Sequence, residues 1–248
     1  MNKGVMHDTS PAHRAMCSTC LRPQKTCIFA WVTPVQHHVE VLILQHPLEA
    51  ANPKGSARLL HLCLPHSRLV VEEVFEEQAL RQLLTGPWSA LPGDAPPNTQ
   101  YTVQPLLLYP ATPGKAAQPR PDWLGDAAAL ALPISAISAL PPMSPMSPMS
   151  PKPLRLVVLD GTWRKSRKML HLNPALQHVL RLPLHDLPAS RYRIRQAHQP
   201  DQRSTLEATC AALMQLEGQS APFLPLLTAF EGFVAQQMGY AGIHQEPV

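Results

Sequence analysis

The sequence predicts an α/β domain: a mostly parallel sheet with helices on both faces. Three observations carry that reading. Residues 39–44 (VEVLIL), 105–109 (PLLLY) and 154–159 (LRLVVL) are apolar almost without interruption, the pattern of strands covered on both sides. Segments with helical spacing lie between and after them, and strands alternating with helices build parallel sheets. The chain has 248 residues and is 45% apolar, enough for one such domain with insertions. Aromatic residues make up only 5%, so the core must come mainly from Leu, Val, Ile and Ala.

Taken in order, residues 1–16 read as a flexible lead and 17–27 (CSTCLRPQKTC) as a compact cysteine knuckle. Residues 1–38 thus stand apart from an α/β domain over 39–240, and 241–248 form a tail. The first strand runs into Gln45-His46-Pro47-Leu48-Glu49, where Pro47 predicts a loop. Residues 57–64 (ARLLHLCL) have helical spacing and stop at Pro65; 68–71 read as a short strand, and 76–84 as an amphipathic helix closed by Gly86-Pro87. The strand at 105–109 ends at Pro110. Residues 113–153 are rich in proline and contain Met-Ser-Pro three times in succession at 143–151. A proline every third residue forbids helix and ladder alike, so this insert reads as a disordered, solvated, polyproline-like linker.

The strand at 154–159 leads into Asp160-Gly161-Thr162-Trp163, where Gly161 permits a sharp turn, and then into a basic helix at 164–172. Residues 179–182 read as a short strand and 191–195 (RYRIR) as a strand or extended loop. Ser204 and Glu207 have the spacing of a capping box, which opens a helix to about 216; a last helix spans about 222–238.

No segment reads as a membrane span, since the best candidate, 127–140, is too short and contains Pro133. The first residues lack the apolar run of a secretory signal. Three of five cysteines crowd into 17–27, which points to metal chemistry or free thiols in a reducing compartment rather than a disulfide framework. The cytoplasm is the expected location. The formal charge of +4 is unevenly spread: residues 152–203 hold 11 basic and 3 acidic side chains, and most of the basic ones are arginines. A block this basic fits a polyanion, nucleic acid first, although part of it is solvated surface.

Two polar segments sit where α/β folds bind ligands. Asp160 to Trp163 lie at the carboxyl end of a buried strand, and Ser204 to Glu207 at a helix N-terminus with unpaired N–H groups. A carboxylate-bearing ligand suits the space between them. Taken alone, Asp160 also suits a plain turn, and the cap alone explains Ser204 and Glu207.

Five blocks together resemble the DTW-domain family: CSTCLRPQKTC at 17–27, LQHPLE at 44–49, LLYP at 107–110, LDGTWRKSRKM at 159–169 and YRIRQAHQPDQRSTLEA at 192–208. Asp160, Thr162 and Trp163 supply the D-x-T-W motif, and the blocks run in the family's order from about 17 to 239, the Pro-rich insert excepted. Proteins of this family are similar to tRNA-uridine aminocarboxypropyltransferases, with a fold resembling the knotted SPOUT class. The resemblance implies S-adenosylmethionine as donor and tRNA as acceptor, with a 3-amino-3-carboxypropyl group passing to N3 of a uridine (acp3U), in a chain expected to be monomeric.

It also implies roles. The catalytic set would be Asp160, Thr162 and Trp163, with Asp160 as the general base that takes the N3 proton. The donor would lie against Leu44, Gln45, His46 and Pro47, against Leu108, Tyr109 and Pro110, against Leu159 and Gly161, and against Ser204, Thr205 and Leu206. Trp163 would stack on adenine or on the target base, or lie in the core beneath the turn. Arg164, Lys165, Arg167, Lys168, Arg191, Arg193, Arg195 and Arg203 would meet tRNA phosphates. Cys17, Cys20 and Cys27 would ligate zinc. Phe29 stands where the family pattern carries a fourth cysteine, which leaves His37, His38 or Cys63 to complete the site, or packing alone to hold the knuckle. Two rivals share much of this: a SPOUT-type RNA methyltransferase, which moves the methyl group, and a non-catalytic zinc-knuckle module that only binds RNA.

Overall fold

Strands that are apolar on both sides need cover on both sides, and this chain provides it. The computed structural model of the chain describes residues 15–88, 103–110, 153–184 and 203–240. Five strands, β1 (Glu40–Gln45), β2 (Ser67–Val71), β3 (Gln104–Leu108), β4 (Leu154–Asp160) and β5 (Leu180–Leu182), form one sheet in the order β2-β1-β4-β3-β5. Every neighbouring pair is parallel.

The pleat sorts the strand residues onto two faces. On the first face, Val41 and Ile43 of β1 and Leu156 and Val158 of β4 meet three helices: α2 (Ala57–Cys63), α6 (Thr205–Glu217) and α7 (Leu224–Tyr240). On the second, Leu42, Leu44, Val157 and Leu159 meet α3 (Glu77–Thr85), α4 (Trp163–Leu172) and the short α5 (Pro174–Gln177). Leu59, Leu60, Phe230 and Phe233 are fully buried on the first face, and Leu80 and Met169 on the second. Each such side chain contributes about 1.5–3 kcal/mol of burial free energy before conformational entropy is counted.

One turn differs from expectation, and another has a different physical cause. Pro47 opens a short helix, α1 (Pro47–Ala50), instead of holding a loop. The first helical N–H has no partner inside a helix, so proline fits there, and His46 Nδ1 accepts the Leu48 N–H at 3.1 Å as a cap. Gly161 is not in the left-handed region, which among the described glycines only Gly218 occupies. What favours glycine is space: a Cβ at Gly161 would lie 3.1 Å from Lys165 Cβ.

The cysteine knuckle packs into the first face, with Cys17, Cys20 and Ile28 in its core. Polar ties fasten it to α7: Trp31 Nε1 donates to Gln236 Oε1 (2.9 Å), and Gln236 Nε2 donates to the Cys27 carbonyl (3.0 Å). A Cβ on Gly232 would sit 2.2 Å from the Trp31 ring, so only glycine lets the indole lie on that helix.

At the amino ends of the strands, Arg155 is completely buried. It donates to Glu40, to the Leu83 carbonyl (2.6 Å) and to the Gly86 carbonyl (2.9 Å), and lies 4.2 Å over the Trp88 ring. No helix among the described residues is long and apolar enough to cross a membrane. Residues 113–152 of the Pro-rich insert, the 191–195 segment, the 241–248 tail, and any knot made by the 185–202 connection lie outside the described residues.

Candidate active site

β1 and β4 are neighbours at the centre of the sheet, yet the chain leaves β1 for β2 on one side and leaves β4 for β5 on the other. That reversal opens a crevice beyond the strands' carboxyl ends, where open α/β sheets take their ligands. Gln45 and Asp160 are paired across it as the last residues of the two strands.

Asp160 follows Leu156 and Val158 on the pleat, which aims it toward α6. The residue is 6% exposed. Gln45 Nε2 donates to Oδ2 at 2.8 Å, and Thr205 Oγ1 donates to Oδ1 at 2.5 Å. Both of these donors are neutral, so they orient the carboxylate without cancelling its charge. The Asp160 carbonyl accepts the His46 N–H at 2.9 Å, which ties the turn after β4 to the turn after β1.

Thr205 is positioned by the start of α6. The Ser204 hydroxyl accepts the Glu207 N–H (3.1 Å), and Glu207 Oε2 accepts the Ser204 N–H (3.0 Å) and hydroxyl (2.9 Å), completing the expected capping box. Ser56 Oγ accepts the Leu206 N–H at 3.3 Å, joining α6 to the start of α2. Leu44, Leu159 and Leu206 are core side chains, so backbone is what they can offer a ligand.

Thr162 caps α4, its hydroxyl accepting the Lys165 N–H at 3.4 Å. Trp163 is 47% exposed and not buried beneath the turn. Tyr109 meets it edge to face, with centroids 5.8 Å apart.

The basic helix divides in two. Lys165 Nζ pairs with the buried Glu49 at 2.7 Å, and Lys168 Nζ with Glu73 at 2.8 Å. Glu73 also takes His46 Nε2 at 2.9 Å, and Lys168 first, then His46, hold its carboxyl below the usual range. Arg164 and Arg167 are exposed and pair with no carboxylate among the described residues. Arg203 is half-buried just ahead of the α6 cap, while Arg191, Arg193 and Arg195 lie outside the described residues. Glu49, Glu73 and Ser56 escaped the sequence reading, because their partners stand up to 150 residues away in the chain.

The Cys17, Cys20 and Cys27 sulfurs lie within 4.8 Å of one another. Cys20 and Cys27 are 3.7 Å apart, close to the edge of about 3.8 Å that a tetrahedron with zinc–sulfur bonds of about 2.3 Å requires. The N–H groups of Cys20 and Thr19, then the Cys27 thiol, lower the Cys17 thiol to about 7, which favours the thiolate a metal needs. Among the described residues none completes the set. His37 is occupied at both ring nitrogens by Val39 and His66 (2.8 and 3.2 Å), His38 faces Glu217, and Cys63 accepts the Thr33 N–H.

A family model described as "DTW domain" matches residues 14–238. The chain is similar to proteins named tRNA-uridine aminocarboxypropyltransferase 2 from Macaca fascicularis (28% identical, covering 82% of this chain and 57% of that protein) and Mus musculus (27%, covering 91% and 64%). It is also similar to tRNA-uridine aminocarboxypropyltransferase A of Arabidopsis thaliana (29%, covering 67% and 54%). The chain thus spans less than two thirds of the length of these relatives. No solved structure matches it.

Proposed function

The chain belongs to the DTW domain family, and from that premise we propose that it transfers the 3-amino-3-carboxypropyl group of S-adenosylmethionine to N3 of a uridine in tRNA. The observation that carries this reading is the buried Asp160 carboxylate, aimed by Gln45 and Thr205 at the crevice between the central strands. N3 of uracil is a weakly acidic imide and must lose its proton to attack carbon. Asp160 is the general base that takes it. The new bond forms between N3 and the γ-carbon of the arm, the carbon–sulfur bond breaks, and its electron pair leaves with sulfur as methylthioadenosine. A sulfonium is already a good leaving group, so positioning supplies much of the remaining acceleration.

The donor lies against loop backbone at the ends of β1, β3 and β4 and the start of α6: Leu44 to Pro47, Leu108 to Pro110, Leu159 to Gly161, and Ser204 to Leu206. Arg164, Arg167 and Arg203, with Arg191, Arg193 and Arg195, meet tRNA phosphates. Cys17, Cys20 and Cys27 hold a structural zinc ion, which when bound cross-links the knuckle. About one zinc per purified chain is expected, and metal-free protein of full stability would retire that part.

The transferred group is tested by isotope. Donor labelled in the carboxyl carbon and donor labelled in the methyl group are incubated separately with unmodified tRNA. Carboxyl label should enter the RNA, with the methyl label released in methylthioadenosine. Methyl label in the RNA would mean a methyltransferase. Label from neither donor, despite tight tRNA binding, would mean a module that only binds.

A further inference from the structure

Trp163 leaves nearly half of an indole in water at the first turn of α4, although two cores lie within reach of the chain. Its neighbours are chosen from three elements. Tyr109, just past β3, stands edge-on to it with rings inclined at 73°. Arg181 of β5 lies over the Tyr109 ring at 5.1 Å and is steadied there by donating to the Pro110 carbonyl at 3.1 Å. Arg167, one helical turn on from Trp163, is exposed on the same face of α4. Burial pushes the Tyr109 phenol up, while the charges of Arg181 and Arg167 pull it down, so both guanidinium groups act on this ring. The cluster sits at the carboxyl end of the sheet on the α4 side, three residues along the chain from Asp160, whose carboxylate faces α6.

We propose that Tyr109, Trp163, Arg167 and Arg181 form a stacking subsite for one unpaired nucleotide of the RNA substrate. The base lies on Trp163, which Tyr109 holds upright, and the adjoining phosphates meet Arg167 and Arg181. An unpaired ribonucleotide offers both features at once, a free π-face and a phosphodiester charge within one residue's length. Base-paired RNA hides its faces. The donor's adenine would suit the ring but not its setting: S-adenosylmethionine carries no phosphate and a net positive charge, which two guanidinium groups repel. The assignment rests on the transferase reading only in taking RNA as substrate.

The test measures binding without turnover, using a fluorescein-labelled oligouridylate and, separately, S-adenosylmethionine by calorimetry. Trp163→Ala should weaken oligouridylate binding about tenfold or more, with an unchanged salt slope, because stacking releases no counterions. Trp163→Phe keeps a ring and should recover most of the affinity, which separates stacking from misfolding. Arg167→Gln should weaken binding and flatten the salt slope by about 0.7. Affinity for S-adenosylmethionine should stay at the wild-type value in all three. Unchanged oligouridylate binding in Trp163→Ala would overturn the subsite, and so would a loss confined to S-adenosylmethionine, which would make the ring an adenine platform. Absence of group transfer by the wild-type protein would retire the enzymatic reading and leave these binding results standing.

Discussion

The two ends of the same central strands bury opposite charges in opposite ways. At the amino end, Arg155 is closed in: Glu40, two backbone carbonyls and the Trp88 face surround it, and it has 0% exposure. At the carboxyl end, the Asp160 carboxylate accepts hydrogen bonds from the neutral donors Gln45 and Thr205. Isolated charge is costly to bury in both places. The first arrangement relieves that cost within the fold. The second places a buried carboxylate at the carboxyl ends of the central strands, where open α/β sheets take their ligands. A buried ion is therefore read by its place in the sheet: at the amino ends it serves architecture, while at a carboxyl-end switch point it stands where ligands bind.

Substitutions at each end should sort accordingly. Asp160→Asn has the largest expected effect, a drop in transfer rate of about 10²–10⁴. The melting temperature and tRNA affinity should stay near wild type, since the amide fits the same volume. Single-turnover transfer with labelled donor is the measurement, and an undiminished rate would remove Asp160 from the chemistry.

Arg155→Met should show the reverse pattern. Removing one partner of a buried pair costs about 3 kcal/mol in denaturant unfolding, while transfer per folded molecule is kept. The double variant Glu40→Met with Arg155→Met should recover part of that loss, because no unpaired carboxylate remains. Equal stability of single variant and wild type would break the contrast from the architectural side.

Thr205→Val tests the orienting role. It keeps the branched shape, removes the hydroxyl, and should lower kcat about tenfold with little change in KM for tRNA. Thr205→Ser restores the donor and should restore most of kcat. If serine fails while valine keeps full kcat, the methyl group and not the hydroxyl is what matters.

The smallest effect is a pH effect at the amino end. Burial pushes the Glu217 carboxyl up, but the Val39 and His38 N–H groups together outweigh it and hold it below its ordinary 4.5. A depressed carboxylate contributes stability above the unfolded value, and the contribution is lost as pH falls through the folded value. Acid unfolding should therefore steepen below about pH 4.5, and Glu217→Gln should flatten that slope.

Much of this was legible along the chain. The apolar runs located β1, β3 and β4 within one or two residues, and proline and glycine marked the breaks. The Ser204–Glu207 box appeared with both halves in place because all its atoms lie within one helical turn. Pro47 was misread because proline ends a helix interior but suits a first turn, and the spacing alone does not say which. The split of the basic helix was not legible. Lys165 and Lys168 look like Arg164 and Arg167 until Glu49 arrives from α1 and Glu73 from the turn after β2. The cysteine cluster was legible as a set of three, whereas His37, His38 and Cys63 turned out to be engaged elsewhere.

By itself the sequence determined what acts within a few residues: which segments extend, where they turn, which helix is capped, and that Asp160 ends a buried strand. Only the tertiary structure decided who stands beside Asp160. Gln45 is 115 residues away and Thr205 is 45, and they meet because β4 inserts between β1 and β3. Periodicity and capping are local forces. Strand order is settled by burying the apolar faces of all five strands at once, and no single segment of the chain carries that information.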